Sequence, residues 1–202
     1  MKLGIGLLTL TLALAANPAV ATETPTAAAA HSTTSDDEPL SSIVPRYLLQ
    51  DPYGRPISSE DFRGRFQLIA FGYTYCPDIC PTTLVEMAEI LKSLGGKASR
   101  LQAIFITVDP ERDTGKVLKT YTEFFDARIL GLTGSPLLIR RAADNFRIRY
   151  AKVQAPGAGP YAVDHAAGMI LLGPDGQVIR KFAFATPVAE LSERISAYIG
   201  QR

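Results

Sequence analysis

Apolar residues fall along this chain in three kinds of run. From Phe66 to Gly72 the sequence Phe-Gln-Leu-Ile-Ala-Phe-Gly is almost unbroken, and Leu101 to Val108 repeats the pattern with Ile, Val and Phe. Runs of that length predict central strands buried on both faces. Elsewhere apolar residues recur at intervals of three and four. Leu84, Met87, Leu91 and Leu94 form one such stripe, which stops at Gly95-Gly96 and predicts a helix with one buried face. A second helix is predicted over about Gly115 to Phe125, burying Val117, Leu118, Tyr121, Phe124 and Phe125. A third is capped by Ser135 and opened by Pro136, with Ile139, Ala142, Ala143 and Phe146 inside. The last, opened by Thr186-Pro187, buries Val188, Leu191, Ile195 and Tyr198.

The remaining runs are short and bounded by turn residues. Arg46 to Leu49 leads into Asp51-Pro52-Tyr53-Gly54, which predicts a strand entering a hairpin turn. Tyr150 to Val153 is an extended piece followed by a Pro/Gly loop from Ala155 to Gly159. Met169 to Leu172 and Val178 to Phe182 are joined by Gly173-Pro174-Asp175-Gly176, a hairpin signal. The alternation of strand and helix through the middle predicts an α/β fold with a parallel pair and a crossover, and the later hairpin makes the central sheet mixed.

With 202 residues, 47% of them hydrophobic, the chain can bury one sizeable core, and one domain is expected over residues 43–202. Residues 1–21 read as a secretory signal peptide. Lys2 supplies a minimal positive start, Leu3 to Ala16 an apolar stretch, and Ala19-Val20-Ala21 a cleavage site. The competing reading is an uncleaved N-terminal anchor, although Asn17 and Pro18 cut the apolar run short of the roughly 20 residues that span a bilayer. Either way the body faces an exported compartment, the periplasm in a bacterial cell. Residues 22–42 are rich in Thr, Ala and Ser, with an acidic patch at Asp36-Asp37-Glu38, and read as a disordered linker. His31 lies inside it and reads as a bystander.

There are 21 Lys plus Arg against 20 Asp plus Glu, and residues 1–21 hold only Lys2, so the rest is formally neutral. Nothing in it resembles the basic footprint of a nucleic-acid binder.

The chemistry concentrates in two cysteines, the only ones present. Cys76 and Cys80 stand in Tyr73-Thr74-Tyr75-Cys76-Pro77-Asp78-Ile79-Cys80-Pro81, where the first buried strand gives way to a helix. A structural disulfide there would close so short a loop that it would remove little chain entropy. About one helical turn separates the pair, roughly 5–6 Å between β-carbons if both were helical, against about 3.5–4.5 Å in a closed disulfide. The spacing therefore leans towards a shared metal while leaving thiol exchange open. A helix N-terminus lowers thiol pKa and favours the thiolate that either chemistry needs, and Pro77 and Pro81 suit a first helical turn. His165, the body's one histidine, sits directly before a core strand. Two thiolates and an imidazole make a soft set suited to Cu(I) and able to take Cu(II) or Zn(II) with an added ligand. A mixed sheet carrying a cysteine pair at a strand-to-helix junction is the thioredoxin-like arrangement, here with an N-terminal hairpin extension.

Phe71-Gly72-Tyr73-Thr74, Cys76-Pro77-Asp78-Ile79-Cys80-Pro81, Val108-Asp109-Pro110-Glu111-Arg112-Asp113-Thr114, Leu132-Thr133-Gly134-Ser135 and Val163-Asp164-His165, in that order, resemble the Sco/SenC family over about residues 43–200. The resemblance implies a thioredoxin-like fold, copper bound by Cys76, Cys80 and His165, and a role at the CuA site of cytochrome c oxidase subunit II. That role is copper delivery, reduction of the site's cysteines, or both; another copper or thiol client is the alternative partner. Tyr75 stands where many members have histidine, and Gly115 where proline is common. Asp78 and Asp164 read either as outer groups orienting ligands or as local caps. The run from Asp109 to Thr114 reads as a surface turn with internal ion pairs.

A rival function is an exported thiol-disulfide oxidoreductase, in which Cys76 attacks and Cys80 resolves without a required metal. The two functions are compatible, and His165 separates them. A thiol peroxidase is disfavoured, because peroxiredoxins place Pro seven and Thr or Ser three residues before the reactive cysteine, and Ile69 and Tyr73 occupy those positions.

Overall fold

The computed structural model describes residues 45–154 and 161–201. The signal segment 1–21, the linker 22–42, His31 and the Pro/Gly loop at 155–159 lie outside them. Within them, a hairpin of β1 (Leu48–Gln50) and β2 (Pro56–Ser58) precedes β3 (Phe66–Gly72), α1 (Ile79–Ser93) and β4 (Leu101–Thr107). Next come α2 (Gly115–Phe125), β5 (Ile129–Leu132), α3 (Pro136–Asn145) and β6 (Tyr150–Val153). The chain closes with β7 (Ala162–His165), β8 (Met169–Leu172), β9 (Val178–Phe182) and α4 (Val188–Gly200).

One five-stranded sheet runs in the order β5-β4-β3-β8-β9. β3 is parallel to β4, and β4 to β5, while β8 and β9 are antiparallel additions. Every residue of β3 is buried, as its continuous apolar sequence requires of a central strand. The predicted mixed α/β sheet with an N-terminal hairpin is the observed one. β1 pairs antiparallel with β2, and Gln50 exchanges backbone hydrogen bonds with Thr133 beyond the end of β5. α1 packs beside α4 and α2, and α3 against β1. Among the described residues no helix is long and apolar enough to cross a membrane.

Two helices carry side-chain caps, and the one at Ser135 is that expected from the sequence. Ser135 accepts from the Leu138 amide with Pro136 in the first position of α3, and Thr114 accepts from the Val117 amide at the start of α2. Gly115, at the start of α2, has a steric reason to be glycine. A β-carbon there would come 2.5 Å from the Pro52 carbonyl oxygen in the turn between β1 and β2.

Three expectations need correction. The inner face of α2 is narrower than its apolar pattern predicts: Leu118 and Thr122 are buried, Tyr121 and Phe125 are half-buried, and Phe124 is 83% exposed against the edge of Phe125. On α4, Ile199 is buried while Val188 and Tyr198 are only packed against the core. Asp109 and Asp113 are fully buried rather than at the surface. Burial of two carboxylates demands partners, and these lie around the cysteines.

Candidate metal centre

Sheet direction brings the site together. β3 and β4 are parallel with Gly72 opposite Thr107, so the segment after each strand emerges at the same edge. β8 runs the other way, with Met169 opposite Ala70, so the residues leading into it arrive at that edge too. Hence Cys76, Cys80 and His165 converge although 85 residues separate Cys80 from His165. One ligand atom from each lies within 4.8 Å of the other two. Cys80 Sγ is 3.5 Å from His165 Nε2.

The two thiols differ in surroundings. Cys76 is half-buried in the loop before α1, with the backbone amides of Asp78, Cys80 and Ile79 nearby. Burial raises its pKa, but those amide donors and the neighbouring Cys80 thiol outweigh it, and the net shift is downward. These are the free amides of a helix N-terminus. Cys80 is buried in the first turn of α1, and burial pushes its thiol far up, opposed by the Tyr73 amide and reinforced by Cys76 and Asp113. Both cysteines are free thiols. Pro81 sits in the first turn of α1, where no amide donor is required.

Gly72 makes room for the pair. A β-carbon there would meet Cys80 Sγ at 2.6 Å and the Phe105 ring at 2.8 Å. His165 ends β7, which pairs only with β6 in a ribbon outside the main sheet, Tyr150 opposite His165. Its Nδ1 lies 3.1 Å from the Ala166 carbonyl. A carbonyl can only accept, so Nδ1 is the donor in that contact and Nε2 is the ring nitrogen that faces Cys80. The Tyr73 ring stands edge-on to the imidazole at 6.0 Å.

The outer groups are those that sequence reading placed at the surface. Asp113 accepts from the Thr74 amide (3.0 Å), the Thr74 hydroxyl (2.6 Å) and the Thr107 hydroxyl (2.6 Å), tying the cysteine loop to the end of β4. Burial pushes its carboxyl above the ordinary range, with those donors opposing. Asp109 pairs with Arg112 and accepts from the Tyr161 hydroxyl at 2.7 Å. The available signal was position: a run leaving a buried strand parallel to the one that carries the cysteines must lie beside them. Asp78 occupies the cap position of α1, but its side chain makes no capping bond, and Asp164 is exposed.

A family model described as SCO1/SenC matches residues 35–200. An SCO2-like protein from Rickettsia felis is 36% identical over 148 residues, covering 73% of this chain and 72% of that protein. The mitochondrial SCO2 homologue of Mus musculus is 36% identical over 155 residues, 76% of this chain and 61% of the mouse protein. Among solved structures, Bradyrhizobium japonicum ScoI with copper bound superimposes with a TM-score of 0.71 at 36% identity, covering 77% of this chain and 99% of that one.

Proposed function

The chain belongs to the SCO1/SenC family, and from that premise we propose that it is a copper-binding metallochaperone with Cys76, Cys80 and His165 as its ligands. It assists assembly of the CuA site of cytochrome c oxidase, with subunit II as client. The observation that carries the reading is the convergence of two sulfurs and one imidazole nitrogen within 4.8 Å of one another. Two thiolates and a neutral imidazole suit Cu(I), and Cu(II) fits with an added ligand. A structural zinc takes four protein ligands, and this group among the described residues has three.

Each residue has a part in receiving and releasing the copper cargo. Amide donors around Cys76 favour its thiolate. Cys80, buried against Gly72, gives up its proton when copper replaces it as the sulfur's partner. His165, with Nδ1 held by Ala166, supplies Nε2 from a ribbon outside the main sheet. Residues 1–21 export the domain to the periplasm.

The asymmetry of the thiols favours reduction of client cysteines as a second activity. The half-exposed Cys76 thiolate attacks a client disulfide, forming a mixed disulfide and releasing one client thiolate. Cys80 then loses its proton and attacks Cys76 sulfur, releasing the second client thiolate and leaving a Cys76–Cys80 disulfide. Two electrons pass from the pair to the client.

An anaerobic Cu(I) competition titration of the reduced protein beside Cys76→Ser, Cys80→Ser and His165→Ala tests the copper reading. The expected result is one tightly held copper per chain, weakened in all three variants. Weak binding that is indifferent to His165 would leave thiol exchange as the function.

A further inference from the structure

His165 sits on a two-stranded ribbon that pairs with no strand of the main sheet. Something must hold that ribbon against the cysteine loop if the third donor is to wait beside the thiols. Arg112 is placed to do so. Its Nε pairs with fully buried Asp109 at the end of β4, and its Nη1 donates to the Tyr161 carbonyl at 3.0 Å, one residue before β7 begins. The guanidinium carbon lies 3.8 Å from the Tyr161 ring centroid and 4.7 Å from that of Tyr75, the residue preceding Cys76. Tyr73 is a third ring, at 5.8 Å. Tyr161 closes the clasp by donating its hydroxyl to Asp109. The Arg112 side chain is only 17% exposed.

We infer that Arg112 is a positioning residue that clamps the His165 ribbon to the cysteine loop, so that Nε2 is held against the thiol pair before copper arrives. The inference rests on the copper reading and adds to it a residue that touches no ligand. It also gives Tyr75 a part, as the aromatic face that the guanidinium meets on the cysteine side. Lysine cannot replace this arginine. An ammonium keeps the charge but has no planar fork to donate to Asp109 and Tyr161 while lying against rings.

The test is a double-mutant cycle in Cu(I) affinity between Arg112→Lys and His165→Ala, with a second readout on metal-free protein. Losing an outer partner of a ligand typically costs 10–100-fold in affinity, and that is the loss expected for Arg112→Lys. In the His165→Ala background the same substitution should cost nothing further, because the two act through one contact. In metal-free protein, proton–proton contacts between the Tyr73 and His165 rings should be present in wild type and lost in Arg112→Lys. Wild-type affinity in Arg112→Lys, an equal loss with and without His165, or a retained ring contact would each overturn the inference. If Arg112→Lys fails to fold, Tyr161→Leu enters the same cycle from the other side of the clasp. If His165→Ala leaves affinity unchanged, the copper reading fails by itself, and the ring contact still decides whether Arg112 positions the ribbon.

Discussion

Gly72 shows how much a single residue decides here. It ends a strand whose apolar sequence is easy to read, yet its reason for being glycine is a sulfur that arrives from the next helix. Gly72→Ala would press a methyl group into Cys80 Sγ and the Phe105 ring. Overpacking of this kind costs about 1–3 kcal/mol, which should appear as a lower denaturant midpoint with unchanged slope, together with weaker copper binding. Asp51 is a second buried decision. Its carboxylate accepts from the Tyr53 and Arg55 amides at 2.9 Å each and pairs with the Arg55 side chain. Burial raises its pKa, but these partners outweigh burial and hold it below the ordinary value. A depressed folded-state pKa stabilises at neutral pH, and the contribution fades as pH falls below the ordinary carboxylate value of about 4. Asp51→Asn should therefore cost about 1–3 kcal/mol at pH 7, and the gap from wild type should shrink in chemical denaturation at pH 3. At this scale the cysteines and His165 were legible as a donor set, because few residue types bind soft metals. Asp109, Arg112 and Asp113 were not, since charged residues in a Pro-containing turn look like surface until their partners are known, and Thr74 lies 39 residues from Asp113.

Elements were legible in proportion to their apolar content. β3 and β4 are continuous runs, and α1 carries a regular stripe, so their pattern is unambiguous. β5 has four residues with Gly131 inside, too short for either period, and is a strand because β4 offers it a parallel edge. The β6–β7 ribbon is legible only by half: Tyr150 to Val153 reads as extended, whereas Asp164 interrupts the short β7 and the pairing of the two strands is tertiary. On α2, Phe124 falls within the predicted inner face but is exposed, because the face turned to β5 is set by Leu118 and Thr122 packing near Gly131. Phe124→Ser should accordingly leave stability within about 0.5 kcal/mol of wild type in denaturant melts. Asp113→Asn reports the opposite case. Two carboxylate oxygens now take three donors. An amide offers one acceptor and turns its own donors on the others, which should cost about 1–3 kcal/mol and loosen the loop carrying Cys76. Amide hydrogen exchange across residues 73–78 would register that loosening.

For the whole molecule, the arrangement is one sheet edge collecting three chain segments, two from parallel strands and one from an antiparallel strand. Fold class followed from the order of strands and helices, whereas the meeting of 76, 80 and 165 depends on β8 pairing antiparallel beside β3, which no local pattern specifies. Copper that binds only the folded site must stabilise the fold by mass action. At a free concentration 100 times Kd the gain is about 2.7 kcal/mol, roughly 5–10 °C in Tm for a domain of this size, and His165→Ala should lose most of it. The central claim is that two sulfurs and one imidazole hold a single copper. X-ray absorption at the copper edge on Cu(I)-loaded protein reads that ligand set: two sulfur scatterers and one nitrogen are expected, the nitrogen vanishing in His165→Ala. A sulfur-only shell in wild type, or a nitrogen that survives His165→Ala, would contradict it.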